Sequence, residues 1–433
     1  MNNNKIKVAM VCHFSNPKVR KKMPLDNRKL YAFIRRILLM PNKGKGYGDI
    51  APWDTYMIEM LRKREDVELN VISAHTGLKC SVCSFDMDDV HYNFVRCDRA
   101  TLLKRLISSA SLWHKMNPMR PLVRKLIKDI SPDIIVLMGT ENAYYSGTVL
   151  GIEGVPIIVV CQTIYNNPDR SVFSTVDKKN AYVEKLVLEN AKYVSAKAKM
   201  HYQILRQINP NVINIKWPFG YLYPEVKLVE KRYDFVNFAM SMDPRKGFPD
   251  SIYALSIIKK VYPNVSLNLV GGGTKEYKDE LKQMVDELGL QDNVTFTPFF
   301  ARQEDMFQHI QSARFAVLPC KMDSISGTMV QAMHYGFPMI CYHTVGTPKL
   351  NEKKECVLIA ENSNVEDLAS KMLILLQDEQ KANALSVNAR ECALQWSDDE
   401  GNTKQMIDGI KAVLSHYRYG MPVPGNILVE ETK

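Results

Sequence analysis

Residues Leu318–Pro348 read LPCKMDSISGTMVQAMHYGFPMICYHTVGTP. The apolar run Phe315–Leu318 (FAVL) leads into this stretch as a strand, and a polar loop follows it. Gly327 opens a helix carrying Gln331 and Met333, and Gly336-Phe337-Pro338 ends it before a second apolar run, Pro338–Tyr342 (PMICY). Strand, loop, helix and strand in that order make the repeating unit of a parallel sheet. A glycine-bearing loop that opens a helix after a strand offers backbone N–H groups to an anion, here those of Gly327, Thr328 and Met329. A plain strand–loop–helix connection reads the same way, so this passage alone leaves both readings open.

Working outward, short apolar runs alternate with amphipathic segments through most of the chain. Lys7–Cys12, Glu68–Ser73, Asp133–Met138 and Pro156–Cys161 read as strands, then Phe235–Ala239, Ser266–Val270 and Val294–Phe296. Unbroken apolar runs of this length suit strands buried on both faces of a parallel sheet. Trp53–Arg64, Lys278–Leu288 and Val365–Asp378 read as helices. The series runs twice, with a Pro-, Gly- and aromatic-rich segment, Lys216–Pro224, between the two runs. The expected fold class is α/β, with two Rossmann-like doubly wound lobes and an interdomain cleft that holds the ligands. The expected boundaries are a first lobe at 1–217, a linker at 218–232, a second lobe at 233–420 and a loose tail at 421–433.

The chain has 433 residues, 46% hydrophobic and 24% charged, which excludes disordered and fibrous classes. Its formal net charge of +10 is unevenly placed: residues 1–217 hold 34 basic and 19 acidic residues, and residues 218–433 hold 23 and 28. No apolar stretch reaches the ~18 residues of a membrane span. The amino-terminal residues run straight into a strand without a signal-peptide pattern, and nine cysteines do not form a disulfide framework. The expected location is therefore cytoplasmic. Cys80-Ser-Val-Cys83, with Cys97, His75 and His91 nearby, lacks the second pair of a zinc ribbon, so no metal is expected.

Two further loops follow strands in the second lobe. Asp243-Pro-Arg245-Lys246-Gly247 places two cations after Phe235–Ala239, and Gly271-Gly272-Gly273 follows Ser266–Val270. Together with Gly327 they fall on the sheet edge where a nucleotide would bind. The order DPRKG, YPNVSLNLVGGG, ELGLQDNVTF and SARFAVLPCKMDSISGTMVQAMHYGFPMI resembles glycosyltransferase family 4 (group 1) of the GT-B fold, well over 235–376 and in outline over the first lobe.

That resemblance implies sugar transfer from a nucleotide-diphospho-sugar to a glycan acceptor, with retention of configuration and without a metal or other cofactor. By the family pattern Lys246 pairs with the donor diphosphate, and Gly327, Thr328, Met329 and Gly272 line the donor site. The family's companion arginine falls on Ser241, leaving Arg245 as a possible substitute. Its two glutamates fall on Asp323, which would meet the sugar hydroxyls, and Gln331, which would accept from the ribose. Replacing that charged acceptor with an amide weakens the ribose contact by about 1 kcal/mol. The leaving phosphate itself takes the acceptor's proton in such a reaction. The absence of paired hydrolase carboxylates agrees with that and argues against free hydrolysis.

In the first lobe, His13 follows the first strand, and Gly44, Gly46 and Gly48 form a flexible loop. His13, Gly46 and Gly48 are candidates for the acceptor side, and Glu141, at the end of Asp133–Met138, for catalysis. A histidine that many relatives carry near that strand end is Val136 here. Segment Lys18–Lys45 holds ten Lys or Arg against a single Asp26, and Arg99–Lys128 holds eight among Leu102, Leu103, Leu106, Ile107, Leu112 and Trp113. Basic amphipathic stretches suit an anionic membrane surface, which would make the protein peripheral on the inner face and its acceptor lipid-linked. A solvated helix face is the plainer reading of the same residues. No nucleic-acid motif accompanies the charge. The function expected is cell-envelope or capsular glycan synthesis. The rival readings are a catalytically degenerate GT-B binding module, favoured by Ser241 and Gln331, and a sugar-nucleotide epimerase, for which no carboxylate and histidine set is found.

Overall fold

The computed structural model describes residues 5–25, 50–167, 178–196, 199–300, 302–321, 325–396 and 398–429. The chain forms two compact units, Met1–Leu222 together with Asp398–Lys433, and Tyr223–Ser397.

In the first unit β1 (Ile6–Cys12) lies between β2 (Val67–His75) and β5 (Ile134–Met138), parallel to both. The sheet is ordered β3-β4-β2-β1-β5-β6-β7-β8, with β3 (Val82–Met87), β4 (Val90–Arg96), β6 (Ile157–Val160), β7 (Tyr193–Ser195) and β8 (Ile213–Asn214). Side chains alternate across a strand. Val8, Met10 and Cys12 accordingly enter one core, and Ala9 and Val11 another on the opposite face. Both faces are covered, which is why the strands read as continuous apolar runs.

The second unit repeats the scheme. Its sheet is ordered β11-β10-β9-β12-β13-β14, built from β9 (Tyr233–Ser241), β10 (Leu267–Gly272), β11 (Val294–Thr297), β12 (Ala313–Leu318), β13 (Met339–Tyr342) and β14 (Leu358–Ala360). Phe235, Leu267, Phe315 and Val317 pack on one face, and Val236, Phe238, Ala316 and Leu318 on the other. The strand runs read from sequence correspond to nine of these fourteen strands. Of the other five, β3 is an edge strand and β7, β8 and β14 are only two or three residues long, while β4 is a seven-residue strand between β3 and β2. β3 and β4 form an antiparallel hairpin closed by Asp88 and Asp89, both at positive φ (51° and 60°). Two left-handed residues give the turn that matches strand twist, but the pair is usually Asn-Gly or Asp-Gly, so Asp-Asp gave no signal.

The domain boundaries depart from expectation at both ends. Tyr223–Arg232 groups with the second unit, and Trp217–Leu222 with the first, where Phe219 stacks on Trp53. The helix Asp399–Tyr419, expected in the second lobe, belongs to the first unit. Its Met406, Ile407, Ile410 and Val413 are buried in the same core as Val8 and Met10. Lys411 Nζ reaches Asp66 at 3.0 Å, Arg418 pairs with Asp133, and Tyr193 Oη lies 2.6 Å from His416 Nδ1. Residues 421–429 are no loose tail either, since Lys216 N–H donates to Ile427 O and Val429 N–H to Asn214 O. An apolar stripe tells that a helix needs a sheet to cover, not which of two similar sheets it finds.

The Cys80–Cys83 segment lies at the start of the β3–β4 hairpin. Cys83 faces Phe94 across the pair, His91 Nδ1 lies 2.6 Å from Asp86 Oδ1, and Cys97 and His75 are buried. Among the described residues no group of three or more His, Cys, Asp or Glu converges as a metal site.

The second unit begins with Tyr223, whose ring stacks on His334 at 3.5 Å and 8°. His334 ends the helix Gly327–His334, and its Nδ1 is buried with no hydrogen-bond partner among the described residues. Burial, helped by the nearby charge of Arg390, lowers its pKa from 6.5 to about 4.

Two predictions follow from these packings. Ile410→Ala should cost about 2–5 kcal/mol, as for other buried Ile truncations. In native-state hydrogen exchange the β1 amides should then exchange faster while those of β9 keep their protection. For His334 the folded state binds the proton less tightly than the unfolded state. The stability of the second unit should therefore be flat above pH 6.5 and fall as pH drops from 6.5 towards about 4. His334→Phe should flatten that part of a pH–stability curve measured by urea titration.

Candidate functional site

In chain order the strands of the second unit run 3-2-1-4-5-6 across the sheet. The chain steps from β9 to β10 and β11 on one side, then returns to place β12 on the other side of β9. At such a switch point the two following connections diverge and leave a crevice beyond the carboxyl ends of the strands. The loops after β9 and β12 meet there.

The loop after β9 is a short 3-10 turn, Pro244–Lys246, closed by Gly247 at φ +69°. A β-carbon at Gly247 would lie 2.2 Å from Pro319 O, so the turn sits directly against the backbone after β12. Lys321 N–H donates to Arg245 O (2.9 Å), stitching the two loops. Lys246 Nζ is 3.9 Å from Cys320 Sγ. The expected substitute cation is engaged elsewhere: Arg245 Nε and Nη2 each donate to the Asp243 carboxylate at 2.7 Å, and its N–H donates to Asp243 Oδ1 at 2.9 Å. Burial would raise the Asp243 pKa, but these bonds and the Arg245 charge outweigh it and hold the carboxyl below the usual range.

After β12, Ser326 occupies the N-cap of Gly327–His334 but does not cap it; its hydroxyl pairs with Thr328 Oγ1 at 2.8 Å. Gly327 and Thr328 hold the first two helical positions, whose N–H groups have no acceptor within a helix. The third amide expected in the cradle differs, because Met329 N–H donates to Ser326 O at 3.0 Å. Gln331 is buried, 4% exposed, and Met329 is fully buried. Gly272 ends β10 opposite Ser241 on β9. The neighbouring Gly271 (φ +158°) permits that approach, since a β-carbon there would lie 2.5 Å from Ala239 O. Asp323 lies outside the described residues, as do Gly46, Gly48 and most of Lys18–Lys45.

The first unit has a switch point of the same kind between β1 and β5, and His13 and Glu141 follow those two strands. His13 Nδ1 is 2.7 Å from Tyr144 Oη. Tyr145 Oη donates to Met138 O at 2.7 Å and lies 3.4 Å from Glu141 Oε1. Val136, at the position the family resemblance would give to histidine, is buried within β5. Sequence reasoning missed Asp54, in the first turn of the helix Pro52–Arg62 and 1% exposed. Burial first, and the charge of Glu141 second, push its pKa well above the usual carboxylate range. It also missed Lys321, Asp250 and Tyr342, which join the segments that follow β12 and β9 to the end of β13. Lys321 Nζ is 2.9 Å from Asp250 Oδ2, and Tyr342 Oη donates to the same oxygen at 2.7 Å. A lone Lys after a strand and an Asp seventy-one positions earlier carry no local signal.

Residues 223–392, nearly all of the second unit, match the family model described as Glycosyl transferases group 1. A protein of Haemophilus influenzae described as an uncharacterized glycosyltransferase is 24% identical over 277 residues, 64% of this chain and 72% of its own length. A GDP-mannose-dependent alpha-(1-6)-phosphatidylinositol monomannoside mannosyltransferase of Mycobacterium tuberculosis is 28% identical over 161 residues, 35% of this chain and 41% of that protein. The match thus spans less than half of the mannosyltransferase. Among solved structures, sucrose-phosphate synthase from Thermosynechococcus elongatus gives a TM-score of 0.68 at 16% identity, covering 95% of this chain and 100% of that one. That likeness is one of fold, and it agrees with the two switch-point sheets and with the family match over the second unit. The second unit thus matches the group 1 glycosyltransferase family model, and over both units the chain is similar in fold to sugar-transferring enzymes of the GT-B type.

Proposed function

We propose that the second unit binds the diphosphate of a nucleotide-diphospho-sugar, and that the first unit presents a glycan acceptor through the region of His13 and Glu141. The observation that carries this reading is Lys246 lying 3.9 Å from Cys320 Sγ at the β9/β12 switch point, in the connection that leads from β12 to the helix Gly327–His334. A cation and two helix-end amides there would stabilise the charge that develops on a departing nucleoside diphosphate. The mannosyltransferase relative is named as GDP-mannose-dependent, which supports a nucleotide donor. Transfer with retention needs no resident metal, since cationic and amide donors meet the leaving charge and the leaving phosphate takes the acceptor's proton. Asp323 would meet the sugar hydroxyls and Gln331 the ribose.

We take the acceptor to be lipid-linked, with transfer at the inner face of a membrane in the synthesis of envelope or capsular glycans. Support comes from Arg99–Lys128, which holds eight Lys or Arg and no Asp or Glu. The fold buries Trp113, whose Nε1 donates to Ala100 O at 3.2 Å, and leaves Leu102, Leu106, Leu112 and Met116 exposed. Exposed leucines among cations would insert between anionic headgroups. No helix among the described residues is long and apolar enough to cross a membrane. All nine cysteines are free, which suits a reducing compartment.

A second reading, a GT-B protein that binds glycans without turnover, is favoured by Ser241 at the end of β9 and by the bidentate capture of Arg245. A thermal-shift panel of UDP-, GDP-, ADP- and CMP-linked sugars separates the two when followed by a transfer assay. One donor class should raise Tm, and transfer from it should persist in EDTA and be lost in Lys246→Ala. Donor binding without turnover would favour the second reading, and no shift with any donor would remove the first. For the membrane, the protein should sediment with anionic liposomes at low salt, less at high salt. The double variant Leu106→Asp/Leu112→Asp should remain in the supernatant.

A further inference from the structure

The family pattern places a second cation near the donor diphosphate, and at that position this chain has Ser241. The Arg245 guanidinium is turned to Asp243, to which Nε and Nη2 donate in a fork. We infer that Lys321 is the second diphosphate-binding cation of this enzyme, held at the β9/β12 crevice by Asp250 and Tyr342; the inference rests on the donor reading above.

Four observations place it. Lys321 lies three residues beyond the end of β12, and its N–H is bonded to Arg245 O, so its backbone is fixed beside Lys246. Asn362 Nδ2 holds its carbonyl at 3.1 Å. The ammonium spans the switch point to Asp250 Oδ2, on the first turn of the helix Phe248–Lys259 that follows the Lys246 loop. The pair is mostly shielded, with side chains 20% and 9% exposed. In a dinucleotide-binding fold the amino end of this first helix receives a phosphate. Here a resident carboxylate occupies it, so phosphate oxygens would be met instead by the lysine that carboxylate holds. An ammonium has three donors, and Asp250 uses one. Tyr342 Oη donates to the same carboxylate oxygen and keeps Asp250 fixed when an anion draws on the lysine. Ser241 and Lys321 thus represent a relocation of charge across the crevice, from the end of β9 to the end of β12.

The test is calorimetric titration of UDP, GDP and ADP, and of uridine, guanosine and adenosine as phosphate-free controls, into the full chain. Lys321→Ala should weaken the nucleoside diphosphate that the wild type binds by roughly 10- to 100-fold, the range for loss of a charge-assisted contact. It should leave the matching nucleoside within about 3-fold, which a general loss of structure would not do. Lys321→Arg should recover most of the affinity, and Ser241→Arg in the Lys321→Ala background should restore part of it. If Lys321→Ala fails to fold, Lys321→Met keeps the aliphatic stem and should show the same selective loss. Equal weakening of nucleoside and nucleoside diphosphate would overturn the inference. So would wild-type affinity in Lys321→Ala alongside a defective Lys246→Ala, which would leave the donor reading intact. A wild type that binds none of these nucleoside diphosphates would overturn both.

Discussion

A β-carbon at Gly247 would lie 2.2 Å from the carbonyl oxygen of Pro319, and the geometry of the second-unit crevice depends on that space being empty. With glycine there, the turn after β9 presses against the segment after β12, and the Lys321-to-Arg245 backbone bond closes the junction. Lys246, Cys320 and Lys321 are thereby brought to one edge although seventy-four positions separate the first two. Any side chain at Gly247 would force the loops apart, and its φ of +69° disfavours one independently.

Given that junction, the local cations sort by the anions that reach them. Asp243 is close in sequence to Arg245 and takes it in a two-pronged bond at the turn itself. Asp250 enters from the next helix and takes Lys321 with one oxygen, shared with Tyr342. Three basic residues that look equivalent in composition therefore differ in what they can offer a ligand. Net charge has no bearing on this; the positions of two aspartates do.

The parallel sheets were legible because each strand is buried on both faces. Lys7–Cys12 and Phe315–Leu318 have no polar alternation for that reason, and they lie inside the strands that flank the two switch points. The β3–β4 hairpin was not legible: β3 is a half-exposed edge strand with a mixed pattern, and its turn is Asp-Asp. Lys246, Gly327 and Thr328 could be named as candidates because each lies in a short motif whose order is local. Asp54, Asp250, Lys321 and Tyr342 could not, because their chemistry comes from neighbours far along the chain.

Local order thus determined that this is a twice-repeated α/β chain, which loops end its strands, and which of them carry glycines and cations. Apolar runs and glycine positions record burial and backbone conformation, and those are properties of a few consecutive residues. The tertiary structure alone decided that Asp399–Tyr419 covers the first sheet, that Arg245 forks onto Asp243, and that Lys321 pairs with Asp250. Each of these is set by packing between distant segments, where a helix stripe or a charge fits several partners and only the folded chain selects one.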